Sequence, residues 1–188
     1  MNNPASLPWL PILRDAVDVE YGDRPRIVTL ATVDANHHPR ARTVILRRLD
    51  DAGALWITSS AHAQKNAHLR QTPFAEIVVY LPASRQQFRL AGFARVICAG
   101  VDEPLRQRFW LNLSDAARAT FFWPTIGELA IAGDSPPAAV PASIPMPDIF
   151  ELIALHPDQV ERLTTSTLPH RRTRWRQQSG WNAEALNP

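Results

Sequence analysis

A chain of 188 residues, 45% hydrophobic and 20% charged, is long enough for one domain with a full core and too apolar to be disordered throughout. Its formal net charge of +2, with no long basic run, argues against nucleic-acid binding by bulk electrostatics. A single cysteine, Cys98, excludes an intramolecular disulfide and a cysteine metal cluster within one chain, and its apolar strand-like surroundings predict a buried, inert thiol.

Pro8 to Tyr21 places Trp9, Ile12, Leu13, Ala16 and Val17 on one helical face, with Ser6 and Pro8 as start signals and Gly22-Asp23 as the stop. Arg14, Asp15, Asp18 and Glu20 interrupt this stretch too early for a signal peptide. No stretch reaches the ~18 apolar residues of a membrane span, so a cytoplasmic location without a membrane partner is expected.

The period then changes. Ile27 to Val33, Arg40 to Leu49 and Leu55 to Ser59 read as strands, joined by turns at Asp34–Pro39 and Asp50–Gly53. Short turns between strands predict an antiparallel meander. Gln64 to Arg70 reads as a short helix, Phe74 to Leu81 as a buried strand, and Gln86 to Ala99 as a long strand bent or broken at Gly92. Asp102 to Trp110 and Ser114 to Phe122 read as helices, the second capped by Ser114 or Asp115.

Gly133 to Pro147 is a proline-rich loop that no regular helix or central strand accommodates. Beyond it, Ile149 to Leu155 and Val160 to Thr165 read as two strands, with a helix the alternative that periodicity leaves open, Arg171 to Gln177 as the last strand, and Trp181 to Pro188 as a tail. With no internal repeat, residues 1–188 are expected to form one domain, mostly β, an antiparallel barrel with peripheral helices.

The six histidines lack metal-site spacing: there is no His-Glu-x-x-His, and His62 and His68 are six positions apart. No metal is expected. There is no Gly-x-Ser-x-Gly elbow, no Gly-x-Gly-x-x-Gly and no P-loop, which argues against a serine hydrolase and a dinucleotide fold.

What remains is a set of basic and small polar residues at strand ends. In Arg42-Thr-Val-Ile-Leu-Arg47, residues 42, 44 and 46 share one face, and 43, 45 and 47 the other. Leu55-Trp-Ile-Thr-Ser-Ser60 ends in consecutive hydroxyls, and Lys65 follows. Nineteen of the twenty basic residues are arginine, and Lys65 is the exception. Either it is a remnant of arginine-rich coding, or its position needs a compact ammonium on a flexible stem, as a phosphate contact does. A strand end with hydroxyls and free N–H groups beside a helix start suits a phosphate. Gln86-Gln-Phe-Arg89 offers amides to a ring edge.

In this order, Arg42 to Arg47, Trp56 to Ser60, Lys65, Asn66 to Leu69, Thr72 to Tyr80 and Arg85 to Gly92 resemble the FMN-binding half of the pyridoxamine 5′-phosphate oxidases. Trp123-Pro124, Pro169-His-Arg-Arg-Thr-Arg-Trp175 and the segment from Trp181 to Pro188 are similar to a cyanobacterial-type branch of FMN-binding relatives. The resemblance implies a six-stranded antiparallel split barrel with FMN at a homodimer interface. It implies flavin contacts from Arg42, Thr43, Val44, Ile45, Leu46, Thr58 and Ser59, and a phosphate contact from Lys65. Gln87 would reach the isoalloxazine, and Arg172, with Arg171 as competitor, would anchor nearby.

Departures fall on the substrate side. Arg47 stands where these enzymes carry a lysine near the substrate. The C-terminal Arg-x-His motif becomes Pro169-His170-Arg171-Arg172, and an expected tryptophan is Leu163. The residues that hold the substrate phosphate have no clean match in Trp110 to Arg118. Arg47 and Arg171 are therefore the substrate-side candidates, and His170 the candidate for proton transfer. The expectation is an FMN-dependent oxidoreductase acting on a small molecule. The alternative is a flavin module that does not turn over B6 vitamers: a sensor, a carrier or a flavin reductase component.

Overall fold

The computed structural model describes residues 7–124, 126–129 and 135–188. Ser6, one of the two start signals, and Gly133, the expected start of the proline-rich loop, lie outside the described residues.

Helix α1 (Trp9–Tyr21) turns Trp9, Leu10, Leu13 and Val17 into the core and ends where Gly22, at φ 53°, donates its N–H to the Asp18 carbonyl. A helix of 13 residues is marginal alone. Each of those side chains contributes about 1.5–3 kcal/mol on burial, so packing on the sheet holds α1 in place.

Strands β1 (Ile27–Val33), β2 (Pro39–Leu49) and β3 (Leu55–Ser60) form the predicted meander, with β2 paired antiparallel to both neighbours. Helix α2 (Gln64–Gln71) crosses to β4 (Phe74–Leu81), which pairs with β1 and with β5 (Gln86–Ile97). Helices α3 (Glu103–Leu111) and α4 (Asp115–Ala119) follow, and a single 3-10 turn, Thr120–Phe122, extends the latter. Strand β6 (Phe150–Thr164) pairs with β5 along its length and with β3 over Phe150–Leu155. That last pairing closes the ring β3-β2-β1-β4-β5-β6, an antiparallel barrel of six strands. Beyond the ring, β7 (Arg171–Arg176) pairs with the second half of β6, and β8 (Glu184–Leu186) pairs with β7.

The sequence reading needs correction at three places. The two strands expected over 149–165 are one strand of 15 residues. Pro157 reads as a break, yet it sits where the pairing with β5 slips at Ala91/Gly92. On the other edge of β6, β3 ends at Leu155 and β7 begins at Gln159, so a proline in between costs no ladder bond there. The expected tail supplies β8, held as Arg174 and Arg176 bond Glu184, and buries Trp181 against Trp9 at a ring separation of 5.9 Å. Cys98 lies one residue past β5 and is half-buried, not buried in a strand.

Gly92 is required by close approach. A Cβ there would stand 2.1 Å from the His156 carbonyl oxygen. The barrel interior and α1 share one apolar cluster. A second cluster joins Phe109, Trp110, Leu113 and Phe121 to Phe150 and Leu152 on β6. It carries two buried guanidiniums: Arg106 donates to the Phe150 carbonyl, and Arg118 to the carbonyls of Leu113 and Val140. Among the described residues no helix is long and apolar enough to cross a membrane.

Candidate functional site

β2 and β3 lie side by side, so their alternating side chains sort the predicted residues. Leu46, 2% exposed, points into the core and does not line a cavity, although it falls within the run expected to do so. Thr43 and Ile45 on β2 and Thr58 on β3 instead border a cavity of about 460 Å³ outside the barrel. Val44, Arg47, Ser59, Ser60 and Lys65 complete that side. Arg47 is steadied by donating from Nε to Thr58 Oγ1 at 3.2 Å.

The opposite wall comes from α4 and the turn after it: Ala117, Thr120, Phe121, Trp123, Pro124 and Ile126. Trp123 donates from Nε1 to the Pro137 carbonyl at 2.9 Å, which ties this wall to the proline-rich segment. Trp123-Pro124 was legible as a shared motif, but nothing in its composition signalled that it faces the strand-end hydroxyls across a cavity. Ser60 was visible only as the last of the hydroxyl run.

Lys65 stands in the first turn of α2 and has no hydrogen-bond or ion-pair partner among the described residues. Burial, reinforced by the nearby Arg42 charge, holds its ammonium below the ordinary lysine range. Arg42 itself does not line the cavity. It donates to the Leu30 carbonyl at 3.1 Å and to Thr32 Oγ1 at 2.7 Å, and Thr32 is in turn 3.0 Å from His68 Nδ1. Arg42 thus acts on Lys65 through its charge, without lining the cavity.

The other predicted residues lie elsewhere on this chain. Gln87 and Arg172 border a separate cleft with Arg89, Glu161 and Leu163. There Arg172 is paired to Glu161, 2.5 Å from Nη2 to Oε2. Arg171 and His170 are exposed at the start of β7, away from the Lys65 cavity. One chain therefore brings together Thr43, Val44, Ile45, Arg47, Thr58, Ser59 and Lys65, but not Gln87, His170, Arg171 or Arg172.

A family model described as pyridoxamine 5′-phosphate oxidase, FMN-binding domain, matches residues 6–98. A pyridoxine/pyridoxamine 5′-phosphate oxidase of Azorhizobium caulinodans is 34% identical over 154 residues, covering 79% of this chain and 71% of that protein. The chain belongs to the pyridoxamine 5′-phosphate oxidase family. The family's FMN-binding domain spans α1 to β5 and contains the whole strand side of the cavity. A pyridoxamine 5′-phosphate oxidase-related, FMN binding protein from Nostoc punctiforme superposes with a TM-score of 0.85 at 33% identity, over 96% of this chain and 98% of that one. Pyridoxine/pyridoxamine 5′-phosphate oxidase 2 of Arabidopsis thaliana is 27% identical over 168 residues, 85% of this chain and 84% of that protein. The resemblance stated on sequence blocks and the split-barrel fold are thus both borne out.

Proposed function

We propose that this chain binds FMN in the Lys65 cavity, at the interface of a cytoplasmic homodimer, and works as an FMN-dependent oxidoreductase on a small anionic molecule. One observation carries the reading: Lys65 presents an ammonium without an acidic partner among the described residues to a cavity with hydroxyls on one side and aromatic rings on the other. The donor set fits FMN. Lys65 would take the phosphate through a charge-assisted contact, with Thr43, Thr58 and Ser60 supplying hydroxyls beside it. Phe121, Trp123 and Ile126 would cover the ring and exclude water. The cavity falls in the usual range for cofactor sites, ~300–1,000 Å³. Bound there, FMN would supply the two-electron chemistry, and the protein positions and shields it.

Gln87 and Arg172 support the dimer by lining a different cleft from Lys65. On one chain they belong to a different cleft, so a shared site would draw them from the partner subunit. They share the outer face of β4 and β5 with Tyr80, 59% exposed beside Gln87, and, beyond the Arg89–Glu76 ion pair, with Phe74 and Phe93, 59% and 46% exposed. Residues 1–188 act in this reading as one flavin-binding domain.

On the substrate side, Arg47 faces the cofactor cavity and also a second cavity of about 230 Å³ lined by Arg48, Arg108 and Asn112, with no carboxylate in its wall. Three guanidiniums there suit a carboxylate or phosphate on the substrate. A B6 vitamer is not favoured: in the 110–118 segment Trp110 is fully buried, and Arg118 is spent on main-chain carbonyls and Asp115. That observation argues against B6 turnover, and the second reading, a flavin module that is a sensor, a carrier or a flavin reductase component, shares it.

Anaerobic mixing of the FMN-loaded protein with pyridoxamine 5′-phosphate tests whether a B6 vitamer is the substrate. Unbleached flavin absorbance is expected. Bleaching at a catalytic rate would restore the B6-oxidase reading.

A further inference from the structure

Glu151 lies near the start of β6, opposite Ser59 on β3, and is 2% exposed. Its two carboxylate oxygens are divided. Oε2 accepts from Asn66 Nδ2 at 2.5 Å, and Oε1 accepts from Arg70 Nη2 at 2.5 Å. Asn66 and Arg70 are four residues apart on α2, hence on one helical face. One buried carboxylate therefore clamps α2 to the barrel at two successive turns. Asn66 is itself fully buried and follows Lys65 directly.

The network also fixes the direction of its hydrogen bonds. A carboxylate only accepts, so the Asn66 amide must turn its NH₂ toward Glu151 and its Oδ1 toward Ser59. Ser59 Oγ is 2.6 Å from that Oδ1 and has a single proton to give. The proton is spent inside the protein. Ser59 borders the cavity, yet its hydroxyl has only lone pairs left, which repel phosphate oxygens. The resemblance implied Ser59 as a flavin contact, and its side chain cannot be a phosphate donor.

We propose that Glu151 is a positioning residue for the phosphate end of the site. It acts through Asn66 and Arg70 to set where Lys65 enters the cavity, and it commits Ser59 to the scaffold. The phosphate is then read by Lys65 and the outward hydroxyls, and not by Ser59 Oγ. This rests on Lys65 holding the FMN phosphate.

Riboflavin has the same ring and ribityl chain as FMN but no phosphate, so the ratio of the two affinities isolates the phosphate end. Both are titrated by flavin fluorescence against purified apo protein. Glu151→Gln keeps the shape but must offer an amide where two acceptors are needed. It is expected to weaken FMN about tenfold and to leave riboflavin within about twofold. In a Lys65→Ala background the same change should have no further effect on FMN. Ser59→Ala takes one hydrogen bond from Asn66 Oδ1 but leaves the Glu151 clamp in place, so it is expected to lower the FMN-to-riboflavin ratio clearly less than Lys65→Ala does. Should Glu151→Gln not fold, Arg70→Gln, at the half-exposed end of the clamp, is expected to lower the ratio in the same direction.

A folded Glu151→Gln with an unchanged ratio overturns the proposal. So does an effect that adds in full to that of Lys65→Ala, or a Ser59→Ala loss as large as that of Lys65→Ala. If wild type binds no FMN, or Lys65→Ala binds it normally, it is the FMN reading that fails.

Discussion

Lys65 combines two signals of different origin. Its rarity is a property of composition, visible in a chain that otherwise uses only arginine. Its lack of an acidic partner among the described residues belongs to the fold, which brings to it instead the charge of Arg42, of the same sign. The second signal has a testable sign. The folded pKa lies below the unfolded one, so the fold penalises the charged form. The penalty is present in full below the folded pKa and is relieved as pH rises through it. A phosphate in contact reverses the preference. FMN affinity should therefore be highest below the folded pKa of the free protein and fall as pH rises through it, beginning under the ordinary lysine range. With riboflavin titrated in parallel to remove the contribution of the ring, Lys65→Arg should flatten this alkaline fall. A variant with an unchanged fall would mean that another group titrates. Glu151 and Asn66 gave no comparable warning. A single glutamate in an apolar strand and an asparagine in a short helix have ordinary solvated readings, and only the pairing of β6 with β3 brings them to Ser59.

At the scale of elements, helices and strands with clear periodicity were legible, and those that break a local rule were not. α1 shows its stripe, and β1 to β5 show alternation or β-branched runs between turn residues. β6 was not readable as one strand because Pro157 carries a strong local signal against strand, and the slip that tolerates it lies in the partner's Ala91-Gly92. β8 has three residues, Glu-Ala-Leu, with little β propensity, and exists because β7 offers it an edge and Glu184 meets Arg174 and Arg176. Gly92 was legible as a special position without its reason. Replacing it with alanine forces a methyl into the His156 carbonyl and should cost about 3 kcal/mol, read as a lower urea midpoint at constant slope. An unchanged midpoint would mean that the β5–β6 contact relaxes freely.

At the scale of the whole molecule, the barrel divides the residues proposed to hold the flavin between two regions of one chain. Thr43, Thr58 and Lys65 border one cavity, while Gln87 and Arg172 border another cleft. No periodicity could have revealed this division, because it depends on where β6 leaves β3 and takes up β7. The proposed site between two copies would reunite them, and the outer face of β4 and β5, with Phe74 and Phe93 at one end and Tyr80 at the other, is the face it would use. Sedimentation of the purified protein should give twice the chain mass of 21.0 kDa. A charged residue in place of Phe93 should shift it toward monomer and weaken FMN together. A monomer that binds FMN tightly would refute the shared site.

The most direct test of the central claim is an FMN titration of the apo protein, followed by quenching of flavin fluorescence, for wild type and Lys65→Ala side by side. Saturable binding by wild type is predicted, with Lys65→Ala weaker by on the order of 1.5–3 kcal/mol, roughly 10- to 150-fold in Kd. Absence of saturable binding by wild type, or equal affinity in the two proteins, would contradict it.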